Sequence, residues 1–259
     1  MYRSLPTERV SVIIPVGDDL NYLDRCLDAL DMQTYPPHEI IVVDRDPRMR
    51  ATAVAASRGA LVVREPSLTD AAAMAVGYNQ ASGDIIARLD ADSIPGATWV
   101  SSVCESFTLN TSAAAVTASG VIMEDDGRAR PRSTSLSTRT YFGLLGLALG
   151  HPPLRGSAFA MRREVWQQSR DDLCVDDARQ HVDIDLSIHL AGAIIVDPTL
   201  AVTVSTDRST VNGGANSRPW RGLATVLRHW PREFPIARAA RRLSAARRLG
   251  APTPLIESR

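Results

Sequence analysis

The chain has 259 residues with 29 basic and 29 acidic side chains, so its formal net charge is zero. That length is ample for one large α/β domain with a sizeable core, and the charge balance excludes a general attraction to nucleic acid; any basic surface must be local. Cys26, Cys104 and Cys174 are widely spaced, with no CxxC or Cys/His cluster, which indicates neither a disulfide framework nor a zinc site and favours a reducing, cytoplasmic setting.

The opening MYRSLPTERVSVIIPV reaches its first apolar run without a signal-peptide core, and nothing approaches ~18 uninterrupted apolar residues, so no leader or spanning helix is expected. VSVIIPV, 10–16, is a continuous β-branched run of the kind that forms a strand buried on both faces. Leu23, Cys26, Leu27 and Leu30 recur at helical spacing up to TYPP at 34–37, which makes Cys26 a core thiol. EIIVVD (39–44) is the second strand, RMRATAVAASRG a helix closed by Gly59, and ALVV (60–63) the third strand. TDAAAMAVGYNQASG is then a helix with Gly83 as its C-terminal cap, followed by the strand DIIARL. This alternation predicts a mainly parallel sheet with helices on both faces, in which ligands bind beyond the carboxyl ends of the strands. Asp18, Asp44, Asp90 and Asp92 all fall at or just after such ends.

From about 113 the pattern changes. AAAVTASGVIM reads as a strand, EDDGRARPRSTSLSTR as a polar loop, and YFGLLGLALGHPPLRG as an apolar segment ending in a Pro/Gly turn. SAFAMRREVW runs from strand into helix, VDDARQHVDIDLSIHLAG sets acids before a helix, and AIIVDPTLAVTVS supplies one or two strands. Regular alternation is lost, so this half is an elaboration that completes the site. The expected organisation is a domain over 1–217, in halves 1–112 and 113–217, and a helical tail over 218–259.

Three pairs of aspartates stand one residue apart: Asp44 with Asp46, Asp90 with Asp92, and Asp183 with Asp185. In RLDADSIP, 88–95, the two-residue period of a strand puts Arg88, Asp90 and Asp92 on one side. Adjacent carboxylates repel unless a cation lies between them. A divalent ion that also binds phosphate oxygens satisfies this, and a solvated turn is the alternative.

The series VSVIIPV, CLDALDMQTYPP, EIIVVD, ASGDIIARLDADSIPGATWV, GSAFAMRREVW and VDIDLSIHLAG, in this order, resembles the family 2 glycosyltransferases of GT-A fold, a Rossmann-like architecture with a mixed, mainly parallel sheet. The resemblance covers residues 10 to about 205 and is most specific in GDIIARLDADS. It implies a bacterial, non-processive, inverting enzyme that moves a sugar from a nucleoside-diphosphate sugar to an acceptor hydroxyl on a glycan, glycolipid or small molecule. The donor is a UDP-sugar by preference, with a GDP-sugar as the second choice, and the metal is Mn²⁺ or Mg²⁺. It places the nucleotide-sugar site in 1–112 and the acceptor side in 113–217. By this resemblance Asp92 ligates the metal and Asp90 touches the ribose or reaches the metal through water. Asp44 meets the base above Pro15 and Val16, and Asp18 follows them at the donor site. Arg88 contacts phosphate or pairs with Asp90. Asp183 is the general base with Asp185 as the fallback, each also a possible helix cap, and Gly156 and Ser157 border the acceptor and donor sugar. A weaker match in VTVSTDRSTVNGGA offers Arg208 to the diphosphate.

Gly17-Asp18 stand where the family has Tyr-Asn, Asp44-Arg45-Asp46 where it has Asp-Asp or Asp-Gly-Ser, Ala75 where it has Asn, and Val182 where it has Glu. These departures keep a catalytically silent nucleotide-sugar-binding relative as a second reading. A sugar nucleotidyltransferase stands third, because its Gly-rich phosphate loop is missing. Absence of a Gln-x-x-Arg-Trp motif argues against a processive synthase. The tail RPWRGLATVLRHWPREFPIARAARRLSAARRLG is basic and amphipathic; it docks on the domain or lies on an anionic membrane, and no nucleic-acid module supports a third use.

Overall fold

The computed structural model describes residues 7–17, 20–65, 69–119, 121–125, 128–130, 136–156, 158–175, 181–190, 192–205 and 218–229. Asp18, Ser157, Arg208 and the tail beyond 229 lie outside them. The chain alternates β1 (Val10–Val16), α1 (Leu20–Asp31), β2 (Glu39–Asp44), α2 (Arg50–Ser57), β3 (Leu61–Arg64), α3 (Asp70–Gln80) and β4 (Ile85–Leu89). It continues through β5 (Ser93–Ile94), α4 (Trp99–Leu109), β6 (Ala113–Ala118), β7 (Val121–Asp125), β8 (Arg128–Arg130) and α5 (Leu136–Leu149). After these come β9 (Ala158–Arg162), α6 (Arg163–Ser169), α7 (Val182–His189), β10 (Ala193–Asp197), β11 (Val202–Ser205) and α8 (Arg218–Arg228).

A seven-stranded sheet has the order β10-β6-β9-β4-β1-β2-β3, parallel except for β9, which runs antiparallel between β4 and β6. The mainly parallel sheet is present, with strands from both halves of the chain, but the one strand expected over 113–123 is instead two, β6 in this sheet and β7 in another. Strand order reverses between β1 and β4, where an open sheet forms its ligand crevice. Their pairing stops at Ile13↔Arg88 while β1 runs on to Val16. Pro15, which has no N–H to give a ladder, sits in that unpaired stretch on the β4 side.

Successive β1 residues feed opposite faces. Val12 and Ile14 pack with Leu23, Cys26 and Leu27 of α1 and with Val100 and Phe107 of α4. Ile13 packs with Met74 and Tyr78 of α3, Trp166 of α6 and Leu186 of α7. A third apolar cluster, Leu145, Leu149, Ile184, Ile188 and Val226, joins α5, α7 and α8. Cys26 is fully buried beneath the acid-bearing turn, and burial first, then the Asp92 and Asp90 charges, push its pKa up.

Gly77 of α3 lies so close to the sheet that an added Cβ meets Val43 Cγ2 at 2.6 Å and Ile13 Cγ2 at 2.8 Å. Overpacking of this kind costs about 1–3 kcal/mol. Gly77→Ala is therefore expected to lower the unfolding free energy measured in urea by that amount despite the better helix propensity of alanine.

Gly59, at φ +71°, closes α2 as expected. Gly83 does not cap α3. The helix ends at Ala81, which turns extended, and Gly83 lies against the backbone of Arg9, where a Cβ would meet the carbonyl oxygen at 2.6 Å. The expected polar loop after 123 contains strand structure instead. A second sheet of order β5-β11-β7-β8 takes in Val121–Asp125 and Arg128–Arg130. Charged residues are normal on an edge strand such as β8, so polarity did not report a loop there.

Candidate active site

β4 ends at Leu89 and β5 begins at Ser93, so the Asp90–Asp92 turn is strung between the two sheets. Ser93 N–H donates to the Asp90 carbonyl at 2.9 Å, and β5 pairs antiparallel with β11. Both ends of the turn are thereby fixed on strands. Asp92 is 8% exposed, while the Asp90 side chain is one-third exposed.

Arg88 stands on the same side of β4 as Asp90, as the strand period requires, and is 8% exposed. Its Nη2 donates to Asp90 Oδ1 at 3.0 Å, and its Nη1 makes an ion pair with Asp183 Oδ1 at the start of α7. Burial alone would push the guanidinium pKa down, but the Asp183 and Asp90 charges outweigh it and the net direction is up. Of the two roles open to Arg88, the structure realises the pairing with Asp90 and adds a second carboxylate from the other half of the chain. The buried Tyr78 hydroxyl interacts electrostatically with this guanidinium, and burial pushes its own pKa up.

Asp183 is 5% exposed. Its Oδ2 lies 3.8 Å from His181 Nδ1 and close under Gly156, where an added Cβ would meet it at 2.5 Å. The segment entering β9 is tied to the same helix: Leu154 N–H donates to Ser187 Oγ at 2.9 Å, and Ser187 Oγ donates to the Asp183 carbonyl at 2.6 Å. Glycine at 156 lets backbone cover the Arg88–Asp183 pair. Next to it, Arg155 stacks on Phe142 at 3.7 Å and lines a cavity of about 560 Å³ with Thr117, His151 and Val196.

Other expected residues are placed differently. Asp44 is 0% exposed; it accepts from Asp46 N–H at 3.0 Å and from the Thr52 hydroxyl at 3.0 Å, so it holds the turn after β2 instead of facing the rim. That turn carries Met49 at φ 53°, a left-handed conformation that costs energy for a side chain of this kind. Val16 is buried and Pro15 half-buried beside it, and Gly17 has open space around it. Asp185 is 0% exposed and faces Cys174, His189 and His229, away from Arg88. Sequence reasoning missed Thr52, Ser187 and Arg155, which no local motif marks.

The family model described as glycosyl transferase family 2 matches residues 11–169, well over half of the chain. The chain belongs to this family. This family 2 chain is 33% identical over 99 residues to glycosyltransferase AglE of Haloferax volcanii, a match covering 35% of this chain and 33% of that protein. It thus spans about a third of that relative's length. Among solved structures, the fold is similar to mannosyltransferase PcManGT from Pyrobaculum calidifontis in complex with GDP-Man and Mn²⁺ (TM-score 0.57, 19% identity, 95% of this chain and 78% of that one). Mannosyl-3-phosphoglycerate synthase from Rubrobacter xylanophilus gives a TM-score of 0.61 at 20% identity, over 87% of this chain and 75% of that one. Glucosyl-3-phosphoglycerate synthase from Mycobacterium tuberculosis, in complex with Mn²⁺, UDP and glucosyl-3-phosphoglycerate, gives 0.56 at 20% identity over 95% and 82%. The likeness to these structures shows the shared fold.

Proposed function

We propose that this family 2 glycosyltransferase moves a sugar from a nucleoside-diphosphate donor to an acceptor hydroxyl with inversion at the anomeric carbon. The observation that carries the reading is the shared guanidinium: Arg88 holds Asp90, on the donor turn, and Asp183, on the acceptor-side helix, at one point. A turn bearing two carboxylates at the mouth of a switch-point crevice fits a hard divalent cation, Mn²⁺ or Mg²⁺, because oxygen donors and substrate phosphates are the ligands such ions take. Asp92 and Asp90 would hold it, and when bound it neutralises charge on the departing diphosphate.

The base lies along Pro15, Gly17 and the turn after β2, and the acceptor lies on the Arg155 side of Gly156. Asp183 Oδ2 takes the hydroxyl proton as the acceptor oxygen attacks the anomeric carbon from the face opposite the diphosphate. A new C–O bond forms, the C–O bond to the diphosphate breaks, and Asp183 later releases its proton to solvent. Arg88 keeps Oδ1 engaged and so aims Oδ2. UDP is the preferred donor nucleotide and GDP the second. Three widely spaced cysteines, none in a disulfide, fit a cytoplasmic setting. The contacts of α8 with α5 and α7 support docking of residues 218–229 on the domain over a membrane contact. No helix among the described residues is long and apolar enough to cross a membrane.

The test is a thermal-shift series with UDP, GDP, dTDP and CMP, with and without Mn²⁺, on wild type and Asp92→Ala. A metal-dependent rise with one nucleotide that Asp92→Ala abolishes supports the reading, and the sugar of that nucleotide is then assayed for transfer. Nucleotide binding without transfer to any acceptor or water would favour the silent relative. Gly156→Ala serves as an internal check, because its Cβ must displace Asp183 Oδ2. It is expected to lower the transfer rate roughly 10²-fold with nucleotide binding unchanged, the scale of loss for a group misplaced by about 1 Å.

A further inference from the structure

On the side of α7 away from Arg88, four side chains from three parts of the chain converge. Asp185 Oδ1 lies 3.2 Å from His229 Nε2 and 3.5 Å from His189 Nε2. The two imidazole nitrogens are 3.2 Å apart, and Cys174 Sγ is 3.9 Å from His229 Nε2. Cys174, Asp185 and His229 place their ligand atoms within 4.8 Å of one another.

A hydrogen bond accounts for the two imidazoles, which meet Nε2 to Nε2 at 3.2 Å, but not for Asp185 Oδ1. His229 Nδ1 lies 2.9 Å from the Thr225 carbonyl oxygen, which can only accept, so Nδ1 carries the hydrogen. In the neutral ring Nε2 then presents a lone pair toward Asp185 Oδ1, an oxygen that is fully buried and has no hydrogen-bond partner. Asp185 Oδ2 is already satisfied by the Cys174 N–H at 2.8 Å, leaving Oδ1 aimed inward. A cation explains the arrangement. Zinc bonds of about 2.0–2.1 Å to nitrogen and oxygen give tetrahedral ligand separations of about 3.3–3.4 Å, and the thiolate bond of about 2.3 Å gives about 3.6 Å to sulfur. The three N/O separations match this edge, while Cys174 Sγ, 3.9 Å from His229 Nε2, must move inward to complete the set. The His229 Nδ1–H to carbonyl contact is the outer-shell bond that fixes the tautomer of a metal-bound histidine.

We propose that Asp185, His189, His229 and Cys174 form a structural zinc site that staples α8 and the 173–175 segment to α7. Zinc binding releases the Cys174 thiol proton to solvent, and both imidazoles bind as neutral rings through Nε2. The same helix carries Asp183 in its first turn, so the staple holds the catalytic face from behind. A second link lies alongside, where His181 N–H donates to Thr225 Oγ1 at 2.9 Å.

The test needs no transferase activity, so its outcome is independent of the proposed reaction. The full chain is purified, dialysed against metal-free buffer and assayed for zinc. It is then stripped with a chelator and reloaded with Co²⁺. Expected are about one zinc per chain and, with cobalt, the intense visible bands of a tetrahedral ion with a thiolate charge-transfer band in the near ultraviolet. Cys174→Ser should lose the charge-transfer band, and His229→Ala and His189→Gln should weaken or abolish retention. Asp92→Ala should leave the spectrum intact. Circular dichroism of each variant shows whether it has folded, and the wild-type spectrum stands without them. Absence of retained zinc together with absence of a tetrahedral cobalt spectrum in wild type overturns the proposal. A spectrum that survives both Cys174→Ser and His229→Ala, or one that disappears in Asp92→Ala, overturns it equally.

Discussion

Asp183→Asn is expected to reduce the rate of sugar transfer by about 10²–10⁴-fold at saturating donor, the usual contribution of a positioned general base, while nucleotide binding persists. Asparagine keeps the size of the side chain and an oxygen for Arg88 Nη1, so the site retains its shape. What it lacks is a basic oxygen at the Oδ2 position, between His181 and Gly156, to take the acceptor proton. Product formation in single-turnover conditions and a nucleotide thermal shift on the same preparation separate the two functions. Transfer at the wild-type rate would move the base to another group.

Arg88→Met is expected to destabilise the fold by about 3–5 kcal/mol, measured as the urea unfolding free energy. Asp183 is 5% exposed, and with Arg88 gone its charge remains buried near Tyr78 and under the backbone of Gly156. Breaking one partner of a buried pair costs more than removing both, because the survivor is left uncompensated. Arg88→Met combined with Asp183→Leu should therefore recover much of the loss while remaining inactive. A single variant as stable as wild type would mean that water reaches Asp183 freely and that Arg88 does not tie the two halves of the site together.

The first half of the chain was legible because its signals are local. A β-branched run, a helical repeat such as Leu23, Cys26, Leu27 and Leu30, and a closing glycine at 59 each act within one βα unit. The second half was harder to read because its strands are defined by partners far away. β5 has two residues and is a strand only through its pairing with β11, and β8 through its pairing with β7. Within the site, the period of β4 put Arg88 beside Asp90, but nothing near position 88 names Asp183 as the second partner. Asp44 shows the opposite difficulty: its position at a strand end was read correctly, yet the backbone N–H two residues on claims its carboxylate. The Asp185 cluster escaped because its histidines and cysteine come from two helices and a loop. Their spacing matches no zinc motif, and Cys174 looked like an isolated thiol.

One antiparallel strand has a consequence for how such an enzyme diversifies. β9 begins at Ala158, paired with Leu89, so the chain enters the sheet from the rim where Asp90 stands; a parallel strand in that slot would enter from the opposite rim. The whole stretch 136–156, with α5 and Arg155, is therefore delivered to the rim where Asp90 stands as one contiguous insertion. Evolution, or a protein engineer, can replace that cassette between fixed ends and reshape this rim, while strands β1 to β4 keep their sequence and register.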